Sequence, residues 1–148
     1  MQRNIIFKLN ILLLFSCILL GCSKSATNQE KGTEINWDVR NEYHSNDKLL
    51  FRAFPDPELS AGELHKYLIH FTEPFTTFEG KKFAIYVYHK ETGERITAVS
   101  PATISKPSPG YSSLERFTFT LSLPHSGLWR YEIVLDEQIY GDVILMVN

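Results

Sequence analysis

The chain has 148 residues, 15 Lys and Arg against 17 Asp and Glu, and a formal charge of −2. That balance lacks the basic footprint by which proteins hold nucleic acid or anionic lipid, so nucleic-acid binding is not expected. There are two cysteines, Cys17 and Cys22, both near the N-terminus.

The chain opens with two cations, Arg3 and Lys8, followed by thirteen mostly apolar residues, Leu9 to Gly21. A basic stretch followed by an apolar run of this length reads as a signal peptide. A permanent span needs about 20 apolar residues, and Lys8 and Asn10 interrupt this run. Its end, Leu19-Leu20-Gly21-Cys22, resembles the bacterial lipobox. The resemblance implies cleavage before Cys22 and a diacylglyceryl group on its thiol. Two acyl chains suit stable anchoring, since each buried methylene contributes about 0.8 kcal/mol and one chain holds only marginally. Residues 1–21 are thus read as a lipoprotein signal peptide and Cys22 as the lipidated residue. The expected address is the extracytoplasmic face of the cell membrane.

Cleavage would remove Arg3 and Lys8 and shift the charge to −4. It would leave no free thiol and no disulfide, so the exported domain must be stable through its core and cannot be a thiol enzyme. Residues 23–34, SKSATNQEKGTE, carry no aromatic and no aliphatic larger than Ala26. With Cys22 they read as a flexible tether over 22–34, whose typical reach is on the order of 20 Å. Residues 35–148 suffice for one domain with a sizeable core.

Ile35, Trp37 and Val39 alternate with polar neighbours and predict a first strand. KLLFRAF (48–54) predicts a second, closed by Pro55-Asp56-Pro57. In HKYLIHF (65–71), Tyr67, Ile69 and Phe71 share one face and Lys66, Leu68 and His70 the other. KKFAIYVYHK (81–90) is the strongest strand. Gly93 in the turn 91–94 predicts a hairpin into RITAVS (95–100). The Pro-rich stretch that follows reads as loop. RFTFTLSL (116–123), LWRYEIVLD (128–136) and IYGDVILMV (139–147) complete about seven strands. No segment sustains helical periodicity, so the chain is predicted all-β, a sandwich, with a closed barrel as the alternative.

The most specific segment is Leu123-Pro124-His125-Ser126-Gly127-Leu128-Trp129. Pro and Gly shape a corner and the aromatic ring packs across the sheet end, as in immunoglobulin-like domains. This segment, the closing strands through Val147, and KYLIHF at 66–71 resemble a family of uncharacterised small lipoproteins of Gram-positive spore-forming bacteria. The family tends to have Trp where Ile69 stands. The resemblance implies an immunoglobulin-like antiparallel β-sandwich and carries no activity.

His44, His65, His70, His89 and His125 show no metal-binding spacing and read as surface or loop residues. Asp56, Glu58 and Glu63 match no calcium loop. There is no G-x-S-x-G and no S-x-x-K. No metal, cofactor or catalytic residue is expected. Two candidate binding features stand out. Phe75 and Phe78 lie in a loop between strands, where aromatic rings supply contact area at low entropic cost. Lys66 and His70 would form a polar strip on the outer face of their strand. The leading expectation is a non-catalytic cell-envelope binding module with a protein or wall-polymer partner. An enzyme built from scattered His and carboxylates, and a regulator of a neighbouring membrane protein, are the alternatives.

Overall fold

The computed structural model describes residues 35–148. The predicted signal peptide, Cys22 and the predicted tether lie outside the described residues. Eight strands run in the order β1 (Glu42–Ser45), β2 (Lys48–Phe54), β3 (Leu64–Phe71), β4 (Lys82–His89), β5 (Arg95–Thr103), β6 (Phe117–Ser122), β7 (Gly127–Leu135) and β8 (Gln138–Val147). A single 3-10 turn, Phe75–Thr77, sits between β3 and β4.

The strands form two four-stranded antiparallel sheets, ordered β1-β2-β3-β6 and β5-β4-β7-β8. The chain crosses between them after β3, after β5 and after β6. This is the immunoglobulin-like sandwich expected from the sequence; its eight strands include β1 (Glu42–Ser45), not singled out in the sequence, and omit residues 35–39. The facing edges β5 and β6 share no ladder among the described residues, which excludes the closed barrel.

Period-two alternation explains the core. β3 buries His65, Tyr67, Ile69 and Phe71 and turns Lys66, Leu68 and His70 outward. Phe51 of β2 joins them from the same sheet, and Ile85, Val87, Trp129, Tyr131, Ile133 and Val143 close the core from the other. Phe71 is the hub of its aromatic part, with ring centroids 5.7 Å from Phe51, 5.0 Å from Phe78 and 6.0 Å from Phe83.

Two hairpins turn on residues at positive φ. Asn46 and Asp47 (50° and 61°) join β1 to β2, and Asp136 and Glu137 (48° and 66°) join β7 to β8. Both central residues at positive φ match the hand of twisted strands. Asp136 also fixes the start of β4, its Oδ1 accepting from the Lys82 amide at 2.8 Å.

Two sequence expectations are corrected. Residues 35–39 form no strand, and Val39 is 62% exposed. Only Arg40 joins the sheet, exchanging two backbone hydrogen bonds of 2.9 Å with Ile144. The short stretch has no neighbouring strand to cover its apolar face, so alternation alone does not make it a strand. Conversely, β5 continues through Pro101 to Thr103. An edge strand tolerates proline because the missing donor would face solvent. The β8 edge is covered: besides Arg40, Asn148 exchanges backbone bonds with Leu59 (3.0 Å) and Ala61 (2.8 Å). Covered edges do not template pairing with another chain.

Candidate functional site

Sheet register brings outward side chains of three strands together. Across β2 and β3, Arg52 faces His70 and Phe54 faces Leu68; across β3 and β6, Leu68 faces Thr118 and Lys66 faces Thr120. The β5–β6 connection, residues 104–116, then adds Tyr111, Glu115 and Arg116 at one end of this face. The result is an open trough of about 490 Å³ lined by Phe54, Leu68, His70, Tyr111, Glu115 and Arg116.

Its two aromatic rings are exposed, Phe54 by 46% and Tyr111 by 39%. Leu68 and His70, half-buried, both project from β3, Leu68 directly opposite Phe54 of β2. The His70 Nδ1 is 3.1 Å from the Glu115 carbonyl. A carbonyl can only accept, so Nδ1 carries the proton and, in neutral His70, Nε2 presents a lone pair. No side chain or backbone group among the described residues bonds that Nε2. Arg116 Nη1 donates to the Tyr111 hydroxyl at 3.4 Å, and the Arg52 guanidinium, paired with Glu42, lies 5.9 Å from the centre of the Phe54 ring.

The connection carrying Tyr111 is bolted down. Ser113 Oγ donates to the Glu73 carbonyl at 2.6 Å, and the Arg116 amide donates to Ser108 Oγ at 3.2 Å. Ser108 pairs with Ser113 through the backbone at 2.9 Å, and the Phe71 amide reaches the Leu114 carbonyl at 3.4 Å. Ser108, Ser113 and Leu114 are buried. The trough is therefore largely preformed, and less ordering opposes binding.

The candidate residues divide. Lys66 and His70 share the outer face of β3, as expected; His70 enters the trough and Lys66 stands exposed beyond it. Phe78 does not face solvent. It is 0% exposed and meets Phe71 and Tyr140 edge-on, at 5.0 and 5.7 Å. Phe75 is half-buried against the same core. The expectation of a contact loop at Phe75 and Phe78 is corrected by the 3-10 turn: its period of three sets residues 75 and 78 on one side, here the inner one. Phe54, Tyr111 and Arg116 were not singled out in the sequence. Phe54 is the end of a strand, and Tyr111 lies in a Pro- and Ser-rich stretch with no periodicity.

The histidines are also partly corrected. His65 and His89 are buried. His65 Nε2 accepts from the Ser60 amide at 3.1 Å. His89 packs against Trp129 with ring centroids 4.8 Å apart. Its Nε2 lies 3.0 Å from the Ser126 carbonyl and 2.9 Å from Glu91, and its Nδ1 3.0 Å from the Thr92 hydroxyl. Those partners lie in turns that fold back onto the strand ends. Among the described residues no three His, Cys, Asp or Glu side chains converge as metal ligands.

The outer face of the other sheet holds a chain of paired charged and polar groups, although Arg130 Nε has no partner among the described residues. Arg40 pairs with Asp142 at 2.8 Å, and Arg130 pairs with Glu132. Tyr88 donates to Glu132 at 3.3 Å, and Arg95 Nε donates to the Tyr88 hydroxyl at 3.2 Å. Arg95 also covers the Tyr86 ring at 3.8 Å. A groove of about 280 Å³ runs over these residues, but the Tyr86 face and the Glu132 carboxylate are already engaged. In the His70 trough the Tyr111 ring and the His70 acceptor stand open, and Arg52 approaches the Phe54 ring only to 5.9 Å.

No protein-family model and no curated protein matches the chain. Among solved structures, superoxide reductase (neelaredoxin) from Ignicoccus hospitalis has 13% identity over 66% of this chain and 80% of that one, with a TM-score of 0.45, too low to carry an argument. The crystal structure of a candidate lipoprotein from Bacillus anthracis covers 78% of this chain and 88% of its own, at 17% identity and a TM-score of 0.54. At that identity the likeness is one of fold: the two chains share the two-sheet sandwich.

Proposed function

We propose that the protein is a lipid-anchored binding module of the cell envelope, without catalytic activity, held at the extracytoplasmic face of the membrane through Cys22. The observation that carries the binding reading is the preformed trough, in which two exposed rings, Phe54 and Tyr111, accompany an unengaged His70 nitrogen. Exposed aromatics rimmed by polar groups are the usual chemistry of contact surfaces. The anchor reading is supported by Leu19-Leu20-Gly21-Cys22 after a signal-length apolar run, and by the shared fold with the candidate lipoprotein of Bacillus anthracis. The partner is a protein or a wall polymer within reach of the tether.

Two measurements test the two halves separately. Cys22→Ala is expected to abolish labelling by a fatty-acid probe and to release the protein from washed membranes. Retention of the variant after an alkaline wash would overturn the anchor. A photo-activatable side chain substituted at Tyr111 is expected to capture an envelope component on intact cells, while the same group at Ser100, on the opposite sheet, captures less. Equal capture from both positions would overturn the trough as the binding surface.

A further inference from the structure

The trough differs from a small-molecule cleft in shape. It is open along the sheet face instead of enclosed, and its outer strands continue it with a row of short polar side chains, Thr118 and Thr120 beside Lys66. A ligand that fits such a surface is extended, lies flat, and offers apolar faces and hydroxyls in alternation. A fully apolar partner would leave His70 Nε2 and the Glu115 carboxylate without hydrogen bonds, which costs free energy when they are covered. A polyanion would meet Glu115 and Glu42, and a polycation would meet Arg116, Arg52 and Lys66, with Arg52 and Glu42 already paired to each other. The charge around the trough is close to balanced, which favours a neutral chain.

We infer that the His70 trough binds a neutral polysaccharide strand of the cell wall, with sugar rings stacked on Phe54 and Tyr111 and hydroxyls bonded to His70 Nε2 and Glu115. A pyranose ring presents a face of C–H groups with partial positive charge, which matches the negative face of an aromatic ring. Its hydroxyls donate to the His70 lone pair and the carboxylate, and accept from Arg116. The Arg116 contact to the Tyr111 hydroxyl holds that ring in place before the ligand arrives. This inference rests on the binding-module reading and names its ligand.

The test uses the full chain in detergent with two probes: Gram-positive cell-wall sacculi stripped of protein and of their anionic wall polymers in a co-sedimentation assay, and a soluble β-1,4-linked N-acetylglucosamine hexamer in calorimetry. Wild-type protein is expected to sediment with sacculi and to bind the hexamer. Phe54→Ala/Tyr111→Ala is expected to lose at least tenfold in affinity, with melting unchanged because both rings are exposed. Tyr111→Phe, which keeps the ring, should retain binding to within a few fold, and His70→Leu should lose several fold. Absence of wild-type binding to both probes overturns the polysaccharide inference. So does undiminished binding by the double variant with an intact fold. Should the double variant fail to fold, Tyr111→Ala alone against Tyr111→Phe decides the same point. Capture of a protein through position 111, with neither sugar probe bound, would overturn this inference and leave the binding-module reading standing; loss of both would overturn both.

Discussion

The Tyr131 hydroxyl donates to the Tyr67 hydroxyl at 3.0 Å, joining β7 of one sheet to β3 of the other inside the core. The two rings lie 5.4 Å apart, and both residues are almost fully buried. Burial pushes the Tyr131 hydroxyl well above the usual tyrosine range, and the neighbouring Tyr67 adds to this. Burial also raises Tyr67, partly offset by the bond from Tyr131. Tyr140 is pushed up to about 12, chiefly by burial.

These shifts fix a sign for alkaline unfolding. In the folded state the phenols hold their protons at a pH where the unfolded chain, with a pKa of about 10, releases them. Stability from these groups is therefore fully present below about pH 10 and falls as pH rises through the folded values. Urea midpoints measured from pH 7 to 11.5 should drop above pH 10. Tyr131→Phe should lose about 1–3 kcal/mol at pH 7, because a buried hydroxyl partner is removed. Its decline above pH 10 should be shallower than wild type. An equally steep decline would mean other groups drive it.

Trp129 is fully buried, packed against the tilted His89 ring, and its Nε1 donates to the His125 carbonyl at 2.9 Å. Trp129→Ala should cost about 3–5 kcal/mol, the range for emptying a large aromatic site. That is a large share of a typical domain stability of about 5–15 kcal/mol. A urea midpoint near wild type would contradict the burial.

Phe78 and Phe54 should respond in opposite ways. Phe78→Ala opens a cavity among Phe71 and Tyr140 and should cost about 3–5 kcal/mol. Phe54→Ala removes an exposed ring and should stay within about 0.5 kcal/mol of wild type. Thermal melts of the two variants side by side check this; a reversed order would restore the loop containing Phe78 as a contact surface.

Gly141 interrupts β8 for a steric reason. A Cβ there would lie 2.4 Å from Tyr43 Cδ1 and 2.8 Å from Phe51 Cε1. The stacked pair of Tyr43 and Phe51, with centroids 5.6 Å apart, occupies the space above the glycine. Gly141→Ala should therefore destabilise by about 1–3 kcal/mol through overpacking. Adding Tyr43→Ala should remove the two shortest contacts and leave the Phe51 ring room to shift, so the double variant should lose less than the sum of the single losses. Additive losses would mean that the glycine is required for another reason.

Much of this protein is written locally. Alternation in β3, β4 and β6 sets which side chains face inward, because the two-residue period of a strand is a property of its own backbone. The outward positions of Lys66 and His70 follow from it, and the corner that buries Trp129 is likewise local, set by Pro124 and by Gly127 at φ 117°. Two things depended on neighbours. Residues 35–39 alternate as well as any strand, yet the chain offers them only one bridge at Arg40, so pattern without a partner gives no ladder. Phe75 and Phe78 sit among polar residues, and only the 3-10 turn and the waiting cavity beside Phe71 decide that Phe78 goes inside. The trough belongs to the same class. Phe54, His70 and Tyr111 are far apart in the chain, and neither periodicity nor spacing links them. They meet because antiparallel register sets β2 against β3, and because buried Ser108 and Ser113 clamp the β5–β6 connection over the sheet end. Local patterning selects a face; long-range pairing selects which residues share it.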